Sequence, residues 1–170
     1  MDQIKKYPEL DICFQNINHI DIKTIEGSVS LRGFIAGMLS YHPWWIKMLF
    51  SIRKILVGLF GLVKHGEPDD ILRLDPEKIS FVPGDNVSFF ITFKAKEDEY
   101  WAGMSPDDKH LSAYFGIVTE KIDNTKTRFH VFTTVIYKHW TGPLYFNLIR
   151  PFHHFVVWKM MKAGAAPSVD

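Results

Sequence analysis

A chain of 170 residues can bury a core without disulfide or metal staples, and its 46% of apolar residues excludes a disordered polypeptide. A formal charge of +1 gives no global field for nucleic acid, and a single cysteine, Cys13, excludes an intramolecular disulfide and a cysteine-rich zinc site. Fourteen Phe, six Tyr and five Trp are too much ring area for a wet surface, so they imply a thick aromatic core or the lining of a pocket.

The opening Met1–Leu10 carries Asp2, Lys5, Lys6 and Glu9 and lacks the apolar run of a signal peptide, which makes a cytoplasmic location the default expectation. Leu10–Ile17 alternates loosely and reads as a first strand. Ser28 or Ser30 can cap a helix through Leu39, with Gly33 and Gly37 permitting close packing. Tyr41-His42-Pro43 interrupts it, because the residue before proline avoids the α region and proline suits the first turn of a new helix. That second helix runs to about Val63 and ends at Gly66 and Pro68. Lys47, Arg53 and Lys54 break it before the ~20 uncharged residues that a membrane crossing needs. Trp45, Leu49, Ile52, Leu56, Leu59 and Val63 form a stripe opposite Lys47, Ser51, Lys54, Gly58, Gly61 and His65, the pattern of a helix buried on one broad face.

From Lys78 the texture changes to a period of two. Lys78–Val82 reads as a short strand closed by Pro83-Gly84. Val87, Phe89, Ile91, Phe93 and Ala95 alternate with Ser88, Phe90, Thr92, Lys94 and Lys96 as a half-buried strand. Glu97-Asp98-Glu99 is a turn, Tyr100–Met104 resumes an edge, and His110–Ile122 places Leu111, Ala113, Phe115 and Ile117 on one face. Asp123-Asn124-Thr125 turns into Thr127–Trp140. Strands joined by such short turns form an antiparallel meander. After Gly142-Pro143, helical spacing returns over Leu144–Ala163, with Tyr145, Ile149, Phe152, Val156 and Met160 in one stripe. Pro151 lies inside it as a kink or restart, and Gly164 and Pro167 end it. The expected class is α+β, a curved antiparallel sheet wrapped around a long C-terminal helix, with two helices inserted after the first strand. A single domain over residues 1–170 is expected, ordered over about 8–164.

Several short motifs occur in a fixed order: Pro43-Trp44-Trp45 with Leu49 and Arg53, Phe60-Gly61-Leu62, Asp107-Asp108-Lys109-His110-Leu111, Thr133-Thr134-Val135, then Gly142, Tyr145-Phe146 and Ile149-Arg150-Pro151-Phe152-His153. In these the chain resembles the family called domain of unknown function 2867, within the helix-grip superfamily of birch-pollen-allergen-like and START-like domains. The resemblance implies an apolar cavity between the sheet and the C-terminal helix.

Three groups carry candidate chemistry. Asp107, Asp108 and His110 could pair a carboxylate with an imidazole for acid–base work; equally, Ser105-Pro106-Asp107-Asp108 is a turn whose carboxylates cap backbone amides before a strand. Arg150 and His153 sit at the Pro151 position, where the arginine should meet an anionic partner, either a ligand head group or a carboxylate. Trp44, Trp45, Trp101 and Trp140 could line a pocket or simply fill the core. His153 and His154 diverge by ~100° on a helix and cannot chelate one ion from one face, and no zinc spacing, nucleotide loop or nucleophile elbow occurs. No metal and no cofactor are expected.

The leading expectation is a binding module for a small hydrophobic or aromatic ligand, with Trp44, Trp45, Trp101, Asp108, His110, Thr134, Tyr145, Arg150 and His153 as candidate ligand-binding residues. The alternatives are a cyclase- or dehydratase-like enzyme in the same cavity, and a peripheral protein docking on anionic lipid through Trp44–Val63.

Overall fold

The computed structural model describes residues 1–46, 48, 73–106 and 111–167. Its elements in chain order are β1 (His19–Gly27), α1 (Leu31–Leu39), β2 (Asn86–Val87), β3 (Phe90–Lys96), β4 (Tyr100–Met104), β5 (Leu111–Lys121), β6 (Thr127–Tyr137) and α2 (Thr141–Ala165). One antiparallel sheet holds all six strands in the order β1-β6-β5-β4-β3-β2. The meander β2 to β6 follows from the short turns, and β1 closes the far edge by pairing with β6 along its whole length, His19 to Val135 through Gly27 to Thr127. The curved sheet and its long terminal helix form a helix-grip fold.

Local chemistry explains most boundaries. Ser30 caps α1 by accepting from the Gly33 amide, a contribution of about 1 kcal/mol. Ser88, at φ 56°, makes the tight turn that pairs Val87 with Phe90. The first strand expected over Leu10–Ile17 is instead a 3-10 segment, Pro8–Phe14, and the strand begins at His19. Lys78–Val82 is likewise not a strand, for Pro76–Lys78 is a 3-10 turn followed by irregular chain. The even alternation expected from Val87 to Ala95 is broken by an irregularity between Thr92 and Lys94, so Phe90, Thr92 and Ala95 face one way and Phe93 the other. Residues 44–46 and 48 are helical; the rest of the expected second helix lies outside the described residues.

Both sheet faces are covered. On the face gripped by α2, Leu31, Phe34, Ile35, Met38 and Leu39 of α1 meet Phe90, Trp101, Phe115, Ile117, Phe129 and Val131. Phe34 and Phe129 stack at 4.1 Å, and Trp101 folds over Gly103, where a side chain would collide with its ring. On the opposite face Ile4, Leu10 and Cys13 of the N-terminal segment cover Tyr100, Ala102, Val118 and Phe132. Cys13 is wholly buried, and desolvation pushes its thiol up to about 12, which suits packing and not reactivity.

α2 is helical straight through Pro151. Its buried residues are Thr141, Gly142, Tyr145, Phe146, Val157, Met160, Met161 and Gly164. Phe152, expected in the buried stripe, is 53% exposed, and His153 takes the inward position in its place. Tyr145 and Met160 are buried as the sequence pattern suggested, and the inward positions between them shift by one, to His153 and Val157.

Candidate functional site

The seam between α2 and the sheet differs at its two ends. At the end near the C-terminus of α2, glycines bring backbones together: a Cβ on Gly164 would lie 2.6 Å from the Phe34 carbonyl oxygen, and one on Gly37 would lie 3.1 Å from the Gly164 Cα. No room remains there. Toward the other end, β1 turns a polar series toward the helix. The period of two puts His19, Asp21 and Lys23 on one side and Ile20 and Ile22 on the other. Opposite them α2 presents Phe146, His153 and His154.

Lys23 donates a hydrogen bond to Asp21. His154 Nδ1 stands 3.0 Å from Lys23 Nζ and 2.9 Å from Asp21 Oδ2. An ammonium has no lone pair and a carboxylate no proton. Nδ1 therefore either accepts from Lys23 or, carrying hydrogen, donates to Asp21, so one proton decides which contact is a hydrogen bond. Burial works against ionised Asp21, yet the Lys23 ammonium and His154 outweigh it and hold the carboxyl below its usual range. The site can hold, accept or release a proton at one nitrogen.

The neighbouring imidazoles are different. His19 packs on Phe146 at 4.7 Å between ring centres and lies 6.0 Å from His154; His153 lies 6.4 Å from Phe146 and 6.2 Å from His154. The Nε2 atoms of both His19 and His153 are buried and have no hydrogen-bond partner among the described residues. Such a nitrogen costs about 1–3 kcal/mol unless something supplies a partner. Burial lowers the pKa of His19, helped by the nearby Arg150 and His154 charges, and pushes that of His153 down to about 4. Both rings are thus biased toward their neutral forms.

The candidate residues named from sequence disperse. His153 and Tyr145 lie on the inward side of α2, the latter packed with Leu111 and Ile149. Trp45 is half-buried against Phe155. Trp44 is 77% exposed and lines no interior space. Trp101 is fully buried in core, with Nε1 directed at the Ser80 carbonyl and the Thr92 hydroxyl, each at 3.3 Å. Thr134 faces away from α2, donating to the Cys13 carbonyl at 2.7 Å, because Thr133 and not Thr134 has the parity of the gripped face. Arg150 is exposed and, among the described residues, makes no ion pair; the carboxylates nearest in kind to the partner expected for it, Asp107 and Asp108, lie outside the described residues. Asp107, Asp108 and His110 lie outside the described residues.

Sequence reading missed His19, Asp21, Lys23 and His154 as a group. Their signal was present as polar residues alternating with Ile20 and Ile22, a strand with a polar face, but it lay beyond the strand assigned to Leu10–Ile17. Among the described residues, no three His, Cys, Asp or Glu side chains are arranged to hold a metal ion. A recess of about 100 Å³ beside Met1, Ile4, Lys5, Asp11 and Phe14 is too small for a drug-sized ligand. No helix among the described residues is long and apolar enough to cross a membrane.

Comparison with solved structures finds a START superfamily protein from Mycobacterium smegmatis at 15% identity, spanning 87% of this chain and 97% of that one with a TM-score of 0.43. A hypothetical protein from Helicobacter pylori matches at 10% identity, 94% and 95% coverage and a TM-score of 0.45. A point mutant of norcoclaurine synthase from Thalictrum matches at 11% identity, 86% and 91% coverage and a TM-score of 0.42. No curated protein sequence matches the chain. The model of the family described as "Protein of unknown function (DUF2867)" matches residues 12–160, and the chain belongs to that family.

Proposed function

We propose that this protein binds a small, largely apolar molecule at the histidine end of the α2–sheet seam, with one neutral polar group of the ligand held by His19 and His153. The supporting observation is the pair of buried Nε2 atoms that have no hydrogen-bond partner among the described residues. Buried polar groups are otherwise almost always satisfied, so such a pair is a standing demand for a hydroxyl, carbonyl or water. Phe146, tilted against both rings, supplies an aromatic wall. A neutral head group fits best, because both imidazoles are biased against charge.

The test is native mass spectrometry of the purified protein, followed by thermal shift with a panel of phenols, aliphatic alcohols and ketones. A retained mass, or a stabilising compound whose effect disappears in His153→Leu, supports the reading. No retained mass and no shift across the panel would sink it.

A second reading has its own support. The shared Nδ1 of His154 between Lys23 and Asp21 is a proton-exchange group on the edge of the same seam, suited to an isomerase or dehydratase. It requires turnover of a compound the seam binds, with loss of turnover but not of binding in Asp21→Asn.

A further inference from the structure

We infer that the outward face of α2 docks on an anionic lipid surface. The helix is apolar on two sides. Its inner side grips the sheet, while Leu144, Leu148, Phe152, Phe155 and Trp158 are 38–53% exposed. At 100° per residue these five fall within about a third of the helix circumference, opposite the inward stripe of Phe146, His153 and Val157. A contiguous exposed apolar face on a helix that already buries its other side marks an interaction surface. Since no described helix can span a bilayer, the consistent placement is parallel to the surface.

Charge selects the occupant. α2 contains Arg150, Lys159 and Lys162 and no acidic residue. Lys159 Nζ lies 5.5 Å from the Phe155 ring centre and Lys162 Nζ 5.1 Å from that of Trp158. Cations perched on rings of an otherwise exposed apolar stripe match the layering of a membrane interface, where rings enter the acyl boundary and ammonium groups meet phosphates. A second copy of this chain would instead press lysine against lysine. Trp44, also exposed, adjoins Trp45, which packs on Phe155 and so extends an aromatic rim beside the stripe.

Cosedimentation of the full chain with vesicles tests this, using phosphatidylcholine alone and phosphatidylcholine mixed with phosphatidylglycerol. Binding to the mixed vesicles that weakens as salt is raised, with a blue shift of tryptophan emission, is the expected result. Lys159→Glu/Lys162→Glu should lower partitioning by roughly fivefold or more per lysine removed, and Phe155→Ser/Trp158→Ser should abolish it. Both pairs are surface substitutions, so unchanged circular dichroism and melting identify the loss as one of docking. No binding to either vesicle overturns the inference. So does a dimer in light scattering that Phe155→Ser/Trp158→Ser dissolves without any vesicle binding, which would assign the face to a second copy. Neither outcome touches the seam ligand, which is read by bound mass.

Discussion

The two ends of the α2–sheet seam are built on opposite principles. Where α2 crosses α1, Gly37 and Gly164 remove side chains so that backbones meet. Where α2 passes β1, long polar side chains hold the elements together through Lys23, Asp21 and His154, and two imidazole nitrogens find no partner among the described residues. The first end fixes the helix; the second carries a stability cost, which is the feature the proposed ligand would relieve.

Breaking the tight end should have the largest effect. Gly164→Leu drives a Cβ to 2.6 Å from the Phe34 carbonyl oxygen, and backbone cannot yield as a side-chain tip does. A loss of about 3 kcal/mol is expected, with a fall in Tm of roughly 10 °C, read by calorimetry. Acid strikes the other end. His153 has a folded pKa of about 4, below the ordinary imidazole value, so the unfolded chain binds the extra proton first. Stability from this group is complete above about pH 6.5 and drains as pH falls toward 4, by up to about 3 kcal/mol. His19, lowered too, adds in the same direction. Denaturant midpoints across that window check the sign, and Gly164→Ala should leave the slope unchanged.

The anchored end was more legible in sequence than the polar one. Ser30, Gly37, the helix break at Tyr41–Pro43, the meander turns and the terminal helix all announce themselves through local chemistry, which acts within a few residues. The seam is a meeting of residues more than a hundred positions apart, such as Lys23 and His154, and no local rule registers such a pairing. Parity errors did the rest. Thr134 instead of Thr133, and Phe152 instead of His153 as the inward residue, each differ by one position, and one position reverses a strand's face or turns a helix by 100°. Trp101 shows the other failure: a large ring reads equally as pocket lining or core, and only its contacts with Ser80 and Thr92 decide for core.

Within the polar end, Lys23→Met should cost about 2 kcal/mol, since it leaves a partly buried carboxylate with only His154. The carboxyl of Asp21 should then titrate higher, because burial is left as the stronger influence; carboxyl carbon NMR would follow it. An unmoved titration would mean that Lys23 is not what holds the charge.

The smallest effect is the most discriminating. His153→Leu replaces an imidazole of similar bulk by an apolar side chain, removing a buried nitrogen that has no partner among the described residues. Without ligand the variant should be more stable than the parent by about 1 kcal/mol and should lose most of the acid slope. A polar core residue whose removal stabilises the empty protein is present for something other than folding. If the variant is instead destabilised by several kcal/mol, Nε2 already has a partner within the folded chain, and the seam is structural at both ends.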